Sequence, residues 1–224
     1  MWNSILDILV DKVKKGLDVR VIYDDAGCML TLPRGYDKEL ERLGIKCCIF
    51  NHVVPVLSLK FNNRDHRKIT VVDGVVGFTG GINLADEYIN EYEKYGHWKD
   101  TAIMIKGDAV WNFTVMFLSM WDFLRGANEN FYDFKVNFDC KICDNGYVQP
   151  YSDNPLDGEL VGKTVYMNLI NKANRYLYIT TPYLVIDSEM LTALKSAAKG
   201  GVDVRIIIPH ITDSKVADAV AKSY

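Results

Sequence analysis

A stretch near one end of the chain recurs near the other, and this repeat limits the fold more than any single residue does. Residues 3 to 20, NSILDILVDKVKKGLDVR, align without a gap on residues 188 to 205, SEMLTALKSAAKGGVDVR, at a constant offset of 185. Leu6 falls on Leu191, Leu9 on Leu194, and Asp18-Val19-Arg20 on Asp203-Val204-Arg205. Each copy reads as an amphipathic helix, a glycine stop, and a buried strand, Val19–Tyr23 in the first and Val204–Ile208 in the second. A chain that uses helix-then-strand twice is expected to be α/β.

Between the copies, apolar runs predict strands at Lys46–Phe50, Lys68–Val72, Val75–Thr79 and Thr101–Lys106, and a helix over Asp108–Arg125. Leu160–Ala173 reads as a helix, Tyr176–Thr180 as a strand and Ser188–Lys199 as the repeated helix. Turn formers gather at residues 152 to 158, and the boundary between units is expected near residue 145. The expected architecture is two similar units, 1–144 and 145–224, each a mixed sheet with helices on both faces, the second one incomplete.

Composition removes several classes of function. Hydrophobic residues make up 49% of the chain and aromatics 12%, enough for a buried core. A net charge of −3, from 26 Lys and Arg against 29 Asp and Glu, gives no broad attraction to polyanions, so no nucleic-acid partner is expected. The five cysteines, Cys28, Cys47, Cys48, Cys140 and Cys143, are spaced irregularly and read as reduced thiols. Cys140 and Cys143 form a C-x-x-C without a second pair or a nearby histidine, so no metal and no cofactor is assigned. No run of about 18 apolar residues is present. The apolar segment Val110–Leu124 is apolar nearly all round, which suits a core helix better than a membrane-facing one.

The chemistry gathers in residues 64 to 83, RDHRKITVVDGVVGFTGGIN, which hold H-x-K-x4-D followed by G-G-x-N: His66, Lys68, Asp73, Gly80, Gly81 and Asn83. Alternate strand residues share a face, so His66 and Lys68 can converge on one phosphate. The imidazole can act as nucleophile near neutral pH, and the ammonium can neutralise the developing phosphorane oxygens. Gly80 and Gly81 let backbone approach the anion, Asn83 supplies a neutral donor, and Arg64 adds a phosphate contact. Piece by piece, the same residues also read as a polar strand edge, an Asp73-Gly74 hairpin turn and a Gly80-Gly81 turn. Glu87, Glu91 and Glu93 read as a solvated helix face, and His52, His97 and His210 as structural or surface residues.

These residues resemble the phospholipase D superfamily, whose motif is H-x-K-x4-D with a downstream glycine-rich x-N. Tyr23-Asp24-Asp25-Ala26-Gly27, His66-Arg67-Lys68-Ile69, Thr79-Gly80-Gly81-Ile82-Asn83, Trp98-Lys99-Asp100-Thr101 and Thr181-Pro182-Tyr183 resemble bacterial cardiolipin synthases in order and spacing. The resemblance implies phosphatidyl transfer between two phosphatidylglycerol molecules through a phosphohistidine, with His66, Lys68, Asp73 and Asp100 as catalytic residues. It implies that Asp100 stands against the ring of His66 and orients it, while Asp73 supports the geometry of the motif. It implies an anionic phospholipid partner, a membrane surface at the cytoplasmic face reached through segments outside this chain, and no metal. It also implies two histidines in two motifs, and the offset of 185 puts the counterpart of His66 at position 251, past Tyr224. The expectation is therefore a chain that holds one motif and cannot turn over alone, unless two copies pair as a homodimer. Hydrolytic phospholipase D, a nuclease of the superfamily and an inactive phosphate-binding chain are the alternatives.

Overall fold

The computed structural model describes residues 1–52, 64–137, 146–153 and 158–223. The two compact units are Met1–Tyr92 with Trp98–Pro150, and Glu93–His97 with Tyr151–Tyr224. The boundary expected near residue 145, Cys140 and Cys143 all lie outside the described residues.

In the first unit, helix α1 (Trp2–Lys14) leads to strand β1 (Arg20–Asp24), the short helix α2 (Asp25–Cys28), helix α3 (Tyr36–Arg42) and strand β2 (Lys46–Phe50). Strands β1 and β2 pair in parallel, Arg20 with Lys46 through Asp24 with Phe50. Leu40 and Ile45 are completely buried beneath them, beside Tyr36 and Cys47, with Leu6, Leu9 and Val13 of α1 packed on top. The Trp2 indole N–H donates to Tyr36 Oη at 2.6 Å, so the α1–α3 contact also satisfies its buried polar groups. Burial pushes the Cys47 thiol up to about 12, with the neighbouring Cys48 adding to it. Cys28, Cys47 and Cys48 are free thiols, as their spacing indicated.

Strands β3 (Ile69–Val72), β4 (Val76–Gly80) and β5 (Ala102–Lys106) form an antiparallel sheet. The β3–β4 ladder runs from Val72–Val76 to Ile69–Thr79, and the β4–β5 ladder from Val76–Lys106 to Gly80–Ala102. Helix α4 (Val110–Arg125) packs on β2, β3 and β4 with Val110, Phe113, Thr114, Leu118 and Trp121 buried. It is the core helix its composition suggested. A Cβ on Gly77 would stand 2.8 Å from the Phe113 ring, so glycine is what lets α4 close onto β4. Among the described residues the parallel pair and the antiparallel sheet are hydrogen-bonded separately, and with the helices they make the unit α/β.

In the second unit, helix α5 (Val161–Lys172), strand β6 (Tyr176–Thr180), helix α6 (Ser188–Lys199) and strand β7 (Asp203–Ile207) follow, then helix α7 (Lys215–Ala221). Strands β6 and β7 pair in parallel. The two repeat copies are built alike, since α1 and α6 end on residues 185 apart and both stop on a glycine of positive φ, Gly16 at 82° and Gly201 at 96°. The capping bonds match as well. Gly16 and Leu17 donate to the carbonyls of Val13 and Lys12, and Gly201 and Val202 to those of Ala198 and Ala197.

Candidate functional site

The motif segment 64–68 lies just before β3, one residue beyond the last rung of the β3–β4 ladder. Its side chains still alternate. Asp65 and Arg67 pair with each other at 2.7 Å, while His66 and Lys68 meet on their own. Lys68 Nζ lies 3.1 Å from His66 Nδ1 and 3.2 Å from Nε2, and donates to the His66 carbonyl at 2.8 Å. The histidine and lysine thus converge as strand alternation predicted.

Electrostatics favour an uncharged imidazole. Desolvation holds His66 below its ordinary value, with the Lys68 and Arg64 charges adding to the effect against Asp24 and Asp65. Lys68 is also lowered, first by desolvation, with Asp65 and Asp100 opposing. A neutral ring nitrogen beside an ammonium is the arrangement a nucleophile aimed at a phosphodiester needs, one group to attack and one to balance charge.

Asp24, at the carboxyl end of β1, holds this segment in place. Its carboxylate accepts from Arg64 Nε at 2.9 and 3.0 Å, from the Asp65 amide at 3.1 Å, and from the Gly27 amide as the N-cap of α2. The Arg64 guanidinium is therefore anchored through Nε, and its charge reaches His66 from an anchored position. Sequence reasoning did not single out Asp24. The signal was there, because an aspartate that ends an apolar strand and precedes a glycine by three residues is a natural cap.

Asp100 departs from expectation. Its carboxylate accepts from the Thr101 amide at 2.7 Å and the Gly81 amide at 3.2 Å through Oδ1, and from the Trp98 indole N–H at 3.1 Å through Oδ2. It does not bond to the His66 ring. The physical reason lies in the chain path: Asp100 sits two residues before β5, beside the Gly80-Gly81 turn that ends β4, and the nearby amide and indole donors engage both of its oxygens. Those glycines serve a different close approach from the one expected. A Cβ on Gly81 would stand 2.5 Å from Asp100 Oδ1, and one on Gly80 3.0 Å from the Ala102 Cβ.

Asn83 Nδ2 donates to Tyr88 Oη at 3.0 Å. Tyr88 belongs to the single 3-10 turn Asp86–Ile89, which Asn90 ends with a φ of 60°, so the helix face expected for Glu87, Glu91 and Glu93 is one short turn. Asp73, with a φ of 54°, occupies the β3–β4 hairpin turn with Gly74. The four residues of β3 separate it from the His66 end of the sheet, so it shapes the hairpin at the opposite end of the strand. His52 Nδ1 pairs with Asp25 at 2.9 Å on the surface.

No group of three or more His, Cys, Asp or Glu among the described residues is arranged to hold a metal ion. Among the described residues no helix is long and apolar enough to cross a membrane.

The family described as "Cardiolipin synthase, PLD-like domain" matches residues 2–121 and 166–224. An uncharacterized protein of Streptococcus mutans is 51% identical over the whole chain, which covers 48% of that relative. The chain is also 35% identical to a cardiolipin synthase of Alkalihalophilus pseudofirmus and 38% to one of a Geobacillus species, covering 100% and 99% of itself and 44% of each relative. It spans about half the length of the curated relatives it matches.

Proposed function

We propose a function from the premise that this chain belongs to the phospholipase D-like family of cardiolipin synthases: it supplies the nucleophilic histidine of a phosphatidyltransferase site. The observation that carries the reading is the His66 imidazole lying against the Lys68 side chain, with Nζ 3.1 Å from Nδ1. In the proposed reaction a ring nitrogen of His66 attacks the phosphorus of phosphatidylglycerol, and Lys68 and Arg64 offset the charge gathering on the phosphoryl oxygens. The bond from phosphorus to the headgroup glycerol breaks. The leaving alkoxide takes its proton from a second histidine acting as general acid, so glycerol departs and phosphatidyl-His66 remains. The primary hydroxyl of another phosphatidylglycerol then attacks phosphorus and returns its proton to that second histidine. The P–N bond breaks, cardiolipin is formed and His66 is regenerated. The substrate is an anionic phospholipid, so the work takes place at a membrane surface.

This sequence provides one H-x-K-x4-D motif, since the His97-Trp98-Lys99 triplet has Met104 where the aspartate would stand. On this reading the chain alone can carry out the step that His66 performs and lacks the proton donor for an alcohol leaving group. Incubation of the purified chain with labelled phosphatidylglycerol, beside a His66→Ala control, is expected to give neither cardiolipin nor phosphatidic acid. Cardiolipin formed by the chain and abolished by the substitution would mean that two copies pool their His66 residues as a homodimer. Phosphatidic acid as the sole product would replace transfer with hydrolysis.

A further inference from the structure

Five residues beside the motif close a loop that no step of the proposed reaction uses. Asn83 Nδ2 donates to Tyr88 Oη at 3.0 Å, and the Tyr88 ring stands edge-on to Trp98, with centroids 4.6 Å apart and planes at 80°. The Trp98 indole N–H donates to Asp100 Oδ2, and Asp100 Oδ1 accepts from Gly81, two residues from where the loop began. Trp98 is itself clamped, since its amide donates to Asn90 Oδ1 at 2.6 Å and its carbonyl accepts from Asn90 Nδ2 at 2.9 Å. Both rings are half-buried.

We infer that Tyr88 and Trp98 are positioning residues for phosphoryl transfer, holding the Gly81–Asn83 turn and the Asp100 carboxylate so that Asn83 and Lys68 are free to meet the phosphate. The inference rests on the function proposed above. An amide nitrogen has two N–H donors; Tyr88 takes one and leaves the other for a phosphoryl oxygen in a fixed direction. Asp100 lies close enough to Lys68 to act on its charge, yet the two form no ion pair. Three N–H donors, two on Oδ1 and one on Oδ2, hold the carboxylate and compete with the ammonium for it. Removing the indole N–H exposes Oδ2, and Lys68 is then drawn from His66 towards Asp100.

The two residues predict separable defects. The reporter is an aryl phosphodiester, bis(4-nitrophenyl) phosphate, whose phenolate departs without a proton, so that His66 alone can displace it. The parent chain is expected to release about one nitrophenolate per chain in a burst. Tyr88→Phe is expected to raise the half-saturating concentration roughly tenfold at an unchanged burst rate, because a ground-state contact is loosened. Trp98→Phe keeps the ring edge and loses the N–H, and is expected to slow the burst roughly tenfold at saturation. Inorganic phosphate titrated against the Asn83 side-chain amide signal by NMR should show the same loss of affinity in Tyr88→Phe. If circular dichroism shows Trp98→Phe to be unfolded, Tyr88→Phe decides. Parent-like affinity and rate in the folded variants overturn the inference while leaving the proposed function in place. A parent chain that gives no burst overturns the function, and the inference with it.

Discussion

The two repeat copies contain the same Asp-Val-Arg at the start of the same strand, but place it in different surroundings. In both, the arginine reaches back two residues to its aspartate at 2.8 Å, Arg20 to Asp18 and Arg205 to Asp203. In the first unit the Arg20 side chain is only 11% exposed, is paired a second time with Glu129 at 2.6 Å, and lies over the rings of Trp121 and Phe134. In the second unit Arg205 is 66% exposed and, among the described residues, lies over one ring, that of Tyr178. Local sequence therefore makes the ion pair, and its neighbours decide how much it contributes. The same contrast runs through both units. The first has Leu40, Ile45 and Val110 fully buried, whereas Ile170 and Leu194 are the buried large side chains described in the second, and Tyr176, Tyr178 and Ile207 stand mostly exposed on its sheet.

The largest expected effect separates the units by chemistry. Lys68→Ala should slow nitrophenolate release by about a hundredfold or more, the scale for losing a charged stabiliser of a developing oxyanion. Arg205→Ala should leave the burst unchanged, and a comparable loss there would break the assignment of the site to the first unit. Next comes stability. Arg20→Ala should lower the unfolding free energy by about 2 kcal/mol in urea denaturation, because two carboxylates lose their partner and two rings lose a cation. Arg205→Ala should not move the midpoint measurably, since exposed pairs contribute little. Equal effects would show that local geometry outweighs burial.

Much of this was legible in the sequence. The repeat fixed the ends of α1 and α6 because a glycine of positive φ closes each helix, and Lys46–Phe50, Tyr176–Thr180 and Ser188–Lys199 were read with the bounds the structure gives them. The convergence of His66 and Lys68 followed from their spacing alone. What sequence could not show was partner choice. Asp100 was expected on the His66 ring and instead serves Gly81, Thr101 and Trp98, because hydrogen-bond donors nearer along β4 and β5 outcompete a ring on another segment. Asp24 joins the site through bonds to Arg64 and Asp65, far along the chain, while Tyr88 and Trp98 join it through short-range contacts in irregular turns, and no helix or strand periodicity records either. Helix α3 was missed because Asp37, Lys38, Glu39, Glu41 and Arg42 mask its two buried positions, Tyr36 and Leu40.

A smaller effect concerns amide exchange. Amides of β6 and β7 should exchange with solvent faster than those of β1 and β2, since fewer buried side chains resist opening. Equal protection would remove the contrast in packing. The smallest effect is one of pH. The folded value of His66 is lowered, so its contribution to stability is complete above the ordinary histidine value of about 6.5 and is lost as pH falls through the folded value. The burst rate should follow the neutral imidazole, level above that range and declining in acid. In the His66 ring signals, an NMR titration midpoint above the ordinary value would contradict this.

The central claim is that His66 becomes the covalent carrier of the phosphoryl group. The direct measurement is tandem mass spectrometry of the chain quenched in base after mixing with bis(4-nitrophenyl) phosphate, with phosphorus NMR of the same sample. The account predicts one nitrophenyl phosphoryl group per chain, on His66, stable in base and lost in acid, and absent from His66→Ala. A label on another residue, or nitrophenolate released with no label on the chain, would contradict it.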